Sequence, residues 1–256
     1  MERHGEEAML KVSAFVDGRI VEYVTLAAKV AVCPGIAWKM ANDHWAKSDD
    51  VHRDTSDQAF ETWYKNVLGV LKPTKDDVIL DAGCGTGQLT HLFLKNGFDA
   101  KGFDSSNHLI SRARSRFGGG FYVDDLVWMR HKGESFTKIF LLAVFMYLHP
   151  AYYRRILKNL RDMLSSDGAV YLLDDPDYAK RYRWNRKEAD RLFRITQAEH
   201  LLNALTRVFP VYWAGDGAFW VKTCNIERAA SQTGFSRVEK LDGWADYRSH
   251  HILFVT

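Results

Sequence analysis

Three glycines and two aspartates carry the chemistry most openly readable in this chain of 256 residues. Gly83, Gly85 and Gly87 alternate with Cys84 and Thr86, just after Asp81. A loop so poor in side chains lets a ligand reach its backbone N–H groups. Asp104 stands 19 positions beyond Gly85. At that interval a carboxylate suits the two hydroxyls of a ribose, although the same acid would also serve as a plain helix cap.

The flanking residues must position this loop. Val78, Ile79 and Leu80 form an apolar run ended by Asp81, as expected of a strand buried on both faces. Leu89, Leu92 and Phe93 follow at helical spacing, and Gly97 is placed to stop that helix. Strand, glycine loop and helix bring free N–H groups and a helix dipole to one point, which suits an anion. Spacing narrows the choice. A dinucleotide fold wants a third glycine where Gln88 stands, so a nicotinamide enzyme is disfavoured. A P-loop wants a lysine that does not follow.

The stretch 78–90 instead resembles the first motif of class I S-adenosylmethionine-dependent methyltransferases, of the small-molecule type. The resemblance implies S-adenosylmethionine as cofactor. Its amino-acid end would lie on Asp81, Gly83, Cys84 and Gly85, and its ribose on Asp104 beside Ser105. Asp124 or Asp125 would meet the adenine amino group, and the backbone N–H of Leu126 a ring nitrogen. Residues 136–148 resemble the fourth motif, but Thr137 and Leu141 replace the family's polar residues, which leaves Leu141 a backbone contact only. The implied fold is α/β: a Rossmann-like, doubly wound, seven-stranded sheet of order 3-2-1-4-5-7-6, last strand antiparallel, under a helical lid.

Segments along the chain fit that frame. Residues 1–70 read as a helical lid segment; Phe60, Trp63, Tyr64, Val67 and Leu68 mark a helix on the sheet, and Trp45 either stacks on a ligand or packs in a core. Strands are expected at 99–104, 121–123 and 139–142, then a helix opened by Pro150 and including Leu164, a turn at 166–168 and a fifth strand at 169–173. Asp174 and Asp175 end that strand, either facing the crevice or making a turn. Residues 71–256 form the methyltransferase domain, with 177–222 inserted as a roof, far longer than the usual connection. A helix at 223–233 and strands at 237–241 and 250–256 complete it.

Methyl transfer needs an acceptor held in line and water excluded, with a general base useful for a hydroxyl. Candidate bases are His250, His149 and Tyr178, with Tyr247 nearby; the antiparallel last strand should bring His250 to the active edge. Trp45, Asp174, Arg183, Trp184 and Tyr247 are the candidate acceptor contacts. The roof's arginines make either a solvated helix face or a clamp for an anionic acceptor.

Composition sets bounds. Hydrophobic residues at 46% suffice for a core, and a net charge of +3 does not call for nucleic acid. Cys33, Cys84 and Cys224 are too few and too scattered for a disulfide frame or a metal site, so no metal is expected. No secretory leader is visible, and the apolar stretch 24–38 is broken by Lys29 and Pro34, so a cytoplasmic protein without a membrane span is expected. The expected partner is a small-molecule acceptor: a metabolite, natural product or sugar methylated on oxygen or nitrogen. An RNA or protein methyltransferase and a non-catalytic cofactor-binding regulator are the alternatives. The sequence leaves the oligomeric state open.

Overall fold

The computed structural model describes residues 56–130, 133–183, 213–214 and 218–255. Trp45, Trp184 and most of the expected lid and roof lie outside the described residues, as does the side chain of Arg183.

Helix α1, Asp57–Leu71, starts at Ser56, whose hydroxyl accepts from the Ala59 N–H at 3.2 Å. It buries Phe60, Tyr64, Val67 and Leu71. Strand β1, Val78–Ala82, lies between β2, Asp99–Asp104, and β4, Phe136–Leu142, with parallel pairing on both sides. Helix α2, Gln88–Lys95, links β1 to β2; α3, Asn107–Phe117, links β2 to β3, Phe121–Val123. Helix α4, Tyr153–Asp162, precedes β5, Leu164–Pro176, and α5, Thr223–Ser231, precedes β6, Arg237–Asp242, and β7, Arg248–Phe254. The sheet order is β3-β2-β1-β4-β5-β7-β6, with β7 antiparallel to both neighbours. The expected seven-stranded topology is therefore the observed one. Trp213–Ala214 and Ala218–Phe219 form a separate short antiparallel pair.

Strand alternation builds a core on each face of the sheet. Leu80, Ile139 and Leu141 pack with Ile156, Leu157 and Ile226 of α4 and α5. Ile79 and Phe140 pack on the other face with Phe93 of α2 and Val67 of α1. Among the described residues, no helix is long and apolar enough to cross a membrane.

Several boundaries differ from the sequence expectation. Pro150 opens a 3-10 turn, Pro150–Tyr152, and the helix starts only at Tyr153. Leu164 belongs to β5, not to the helix, because it pairs with Phe136 across an irregular register. Tight backbone approach at Gly168 lets that strand continue: a Cβ there would lie 2.7 Å from Leu164 and 2.9 Å from the Thr137 carbonyl. Strand β7 begins at Arg248, two residues before the expected start, since Arg248 and Ser249 pair with Pro176 and Asp175.

Gly102 in β2 is where the sheet and the glycine loop come closest. A Cβ there would stand 2.7 Å from Thr90 Oγ1 and 2.9 Å from Cys84 Sγ. Gly102→Ala should lower unfolding free energy by about 1–3 kcal/mol through overpacking, measured by urea denaturation.

Candidate active site

The loop after β1 is fixed by β2. The N–H groups of Gly83 and Cys84 both donate to the Phe103 carbonyl, at 2.8 and 2.9 Å. Gly83, Gly85 and Gly87 all have positive φ, at 88°, 56° and 81°. Gly83 also lies under the segment after β4, where a Cβ would meet Val144 at 2.6 Å. At Gly85 nothing stands within 4 Å of where a Cβ would be, so this part of the cradle is open. Asp104 then ties loop to helix: one carboxylate oxygen accepts from the Gly85 N–H at 3.0 Å, the other from the Ser106 N–H at 2.9 Å. Ser106, rather than Ser105, caps α3. Carboxylate oxygens have two lone pairs each, so Asp104 keeps acceptor capacity for a ligand hydroxyl.

A cleft of about 440 Å³ opens at the carboxyl ends of the parallel strands. Asp81, Gly83, Cys84, Gly85, Asp104 and Ser105 line it from the ends of β1 and β2. Asp124, Asp125 and Leu126 line it from the end of β3. The two neighbouring acids have different duties. Asp124 is buried, and both its oxygens accept from the Arg130 N–H. Asp125 uses one oxygen to cap the Val127 and Trp128 N–H groups, at 2.7 and 2.9 Å. No hydrogen bond is made by the Leu126 N–H among the described residues. An open glycine cradle, a braced carboxylate and an unspent amide along one wall fit the polar edges of a nucleoside carrying an amino acid.

Leu141 is wholly buried and forms no part of the wall; Leu142, Ala143 and Val144 take that place. Strand alternation points the Leu141 side chain into the core, so only its backbone is left for the contact expected of it.

The other wall comes from the ends of β4 and β5, the start of β7 and α1. It holds Tyr147, His149, Tyr152, Asp174, Trp244 and Arg248, with Phe60 and Trp63 of α1. Asp174 is in the left-handed region, φ 57°, at a register shift in β5. Its carboxylate accepts from the Trp244 N–H at 3.2 Å, and Arg248 Nη1 stands 3.5 Å from it. Arg248 also donates to the Asp174 carbonyl. Asp175 turns inward instead, fully buried, accepting from the Met146 N–H at 3.0 Å, with burial pushing its carboxyl well up.

The structure gives the candidate bases other duties. His250 Nδ1 accepts from the Asp174 N–H at 2.9 Å, and His149 Nδ1 accepts from the Ala151 N–H at 3.1 Å. In a neutral imidazole that accepts at Nδ1, the proton sits on Nε2, so Nε2 is a donor and cannot take a proton. Burial also pushes His250 down, away from the charged form. His250 reaches the expected edge but stands behind Asp174, outside the wall. Tyr178 packs under Lys222, and Tyr247 against Trp220 and the Arg248 guanidinium; neither lines the cleft. Sequence reasoning missed Trp63, Trp244, Tyr147 and Tyr152. Trp244 had a usable signal, since the turn between the last two strands must lie at the active edge.

Residues 79–168 match the family model of the methyltransferase domain. An uncharacterized methyltransferase of Alkaliphilus oremlandii is 23% identical over 180 residues, 67% of this chain and 83% of that protein. A magnesium protoporphyrin IX methyltransferase from Synechocystis PCC 6803, solved with bound S-adenosylmethionine, is 14% identical. The match covers 86% of this chain and 97% of that one, with a TM-score of 0.56. A geranyl diphosphate C-methyltransferase from Streptomyces coelicolor A3(2), solved with Mg2+, geranyl diphosphate and S-adenosylhomocysteine, is 11% identical. There the cover is 85% and 96%, with a TM-score of 0.54. Residues 79–168 thus match a methyltransferase domain, and the likeness to the two solved structures is one of fold.

Asp81 offers a pH test. Burial pushes its carboxyl up to about 7, against the Thr90 hydroxyl bond at 2.7 Å and with help from Asp104. A folded value above the unfolded one means the fold prefers the protonated acid, so ionisation costs stability as pH rises from about 4 to about 7. Asp81→Asn should therefore match the wild type near pH 4. It should become more stable than it by up to about 4 kcal/mol at pH 8, read from melting curves across pH.

Proposed function

We propose that this protein transfers a methyl group from S-adenosylmethionine to oxygen or nitrogen of a small-molecule acceptor. The observation that carries this is the single cleft joining the glycine loop, Asp104 and the Leu126 amide to an aromatic acceptor wall. When bound, the cofactor supplies an electrophilic methyl group on a sulfonium. Gly83 and Gly85 would admit its amino-acid end, and Asp81, ionised there, would pair with the ammonium. Asp104 would accept from the ribose hydroxyls. Asp125 would take the adenine amino group beside the Leu126 N–H, since Asp124 is the more deeply buried of the pair and both its oxygens already hold the Arg130 amide.

The acceptor would lie against Trp63, Tyr147, Tyr152 and Trp244, with 1–70 and 177–222 as lid and roof. His149 would orient it by donating from Nε2, not by removing its proton. Small acceptors are supported by the cleft's modest volume and by the geranyl diphosphate held in one structural neighbour.

Calorimetry with the full chain should show S-adenosylmethionine binding, and Asp104→Ala should weaken it at least about tenfold. No uptake by the wild type would overturn the proposal. A panel of small acceptors followed by S-adenosylhomocysteine release should show turnover. Turnover only with tRNA or protein would replace the small acceptor with a macromolecule.

A further inference from the structure

Resting on the methyltransferase reading above, we infer that the acceptor is an amine, received by the Asp174 carboxylate between the aromatic faces of Trp63, Trp244, Tyr147 and Tyr152. The described cleft walls carry the carboxylates of Asp81, Asp104, Asp124, Asp125 and Asp174. Against them stands one guanidinium among the described residues, that of Arg248. The first four belong to the ends of β1, β2 and β3, where the nucleoside would lie. Asp174 belongs to the end of β5, on the acceptor side.

Arg248 does not supply a site for an anion. Its Nη1 donates to the Asp174 carbonyl, stands 3.5 Å from the Asp174 carboxylate, and lies 3.8 Å from Met146 sulfur. Its guanidinium is 5.1 Å from the Tyr247 ring centroid. The charge is thus answered within the wall, and an incoming carboxylate or phosphate would meet Asp174 at close quarters. An ammonium meets the opposite condition. Aromatic faces attract cations through their negative ring quadrupole, by about 0.5–2 kcal/mol per contact. A carboxylate set among such faces strengthens that preference, because a partly dry cleft screens charge less than water does.

The bound ammonium first releases its proton to solvent through the open cleft. The freed lone pair then forms the N–C bond as the S–C bond breaks, and that bond's electron pair stays on sulfur. Positive charge passes from sulfur to nitrogen, where Asp174 faces it. Stabilising charge where it develops is what a fixed carboxylate can contribute. His250 acts here as a positioning residue: its Nδ1 holds the Asp174 N–H and so keeps the strained φ of 57°.

Asp174→Asn isolates the charge. Asparagine tolerates the left-handed region and keeps an oxygen for the Trp244 N–H, so the wall should persist. The full chain saturated with S-adenosylhomocysteine would be titrated calorimetrically with benzyltrimethylammonium and with phenylacetate. The ammonium should bind at least about tenfold tighter than the carboxylate, and Asp174→Asn should lose about tenfold for the ammonium only. S-adenosylhomocysteine affinity should stay unchanged in the variant. The inference is overturned if phenylacetate binds as well or better, if the ammonium does not bind, or if the variant binds it as tightly as the wild type. Failure of S-adenosylhomocysteine to bind the wild type would instead overturn the methyltransferase reading, and this inference with it.

Discussion

The close approach of the glycine loop to β2 is the constraint on which the cleft depends. Two loop amides share the Phe103 carbonyl, and a third reaches the Asp104 carboxylate. Such proximity is possible because Gly102 presents no side chain to Thr90 and Cys84. The same carboxylate holds the first turn of α3 through the Ser106 N–H. Loop, strand and helix thus share one anchor, and the ligand groove is the space left beside it. Since β1 lies between β2 and β4, the crevice opens where strand order reverses, with parallel neighbours on both sides.

Charge is the second organising feature. Asp81, Asp104 and Asp175 are buried or nearly so, and burial pushes all three carboxyls upward. Desolvation of an unpaired carboxylate is costly, so these acids are held by hydrogen bonds from Thr90, Gly85, Ser106 and Met146. Asp81 and Asp104 line the cleft, so a cationic ligand there would draw both toward the charged form. Cys84 shares this environment: burial first, then Asp81 and Asp104, push its thiol well up, which suits packing and not nucleophilic attack.

Histidine chemistry shows where pattern stops being informative. Topology carried His250 to the active edge, while its neighbour His251 lies on the opposite face of the strand, where its Nε2 meets the Thr223 hydroxyl at 3.0 Å. The task of His250 depended on a backbone amide 76 residues away. An imidazole that accepts from an N–H is a cap, whatever its position suggests. His149 has the same assignment at the start of its 3-10 turn.

The sequence alone determined the strand–loop–helix unit and the acid that ends the second strand, and its resemblance to a family implied the strand order that the sheet shows. Those features are local: apolar runs, glycine spacing and an interval along the chain are all written in consecutive residues. Tertiary structure decided what the chain could not spell out. Leu164 became strand because Phe136 was there to pair with it, and Leu142 to Val144, not Leu141, reached the wall because of the pleat. Trp63, Trp244 and Asp174 became one surface although they are far apart in sequence. Which side chains share a cleft depends on how separate elements meet, and burial, partner amides and charge all follow from that meeting.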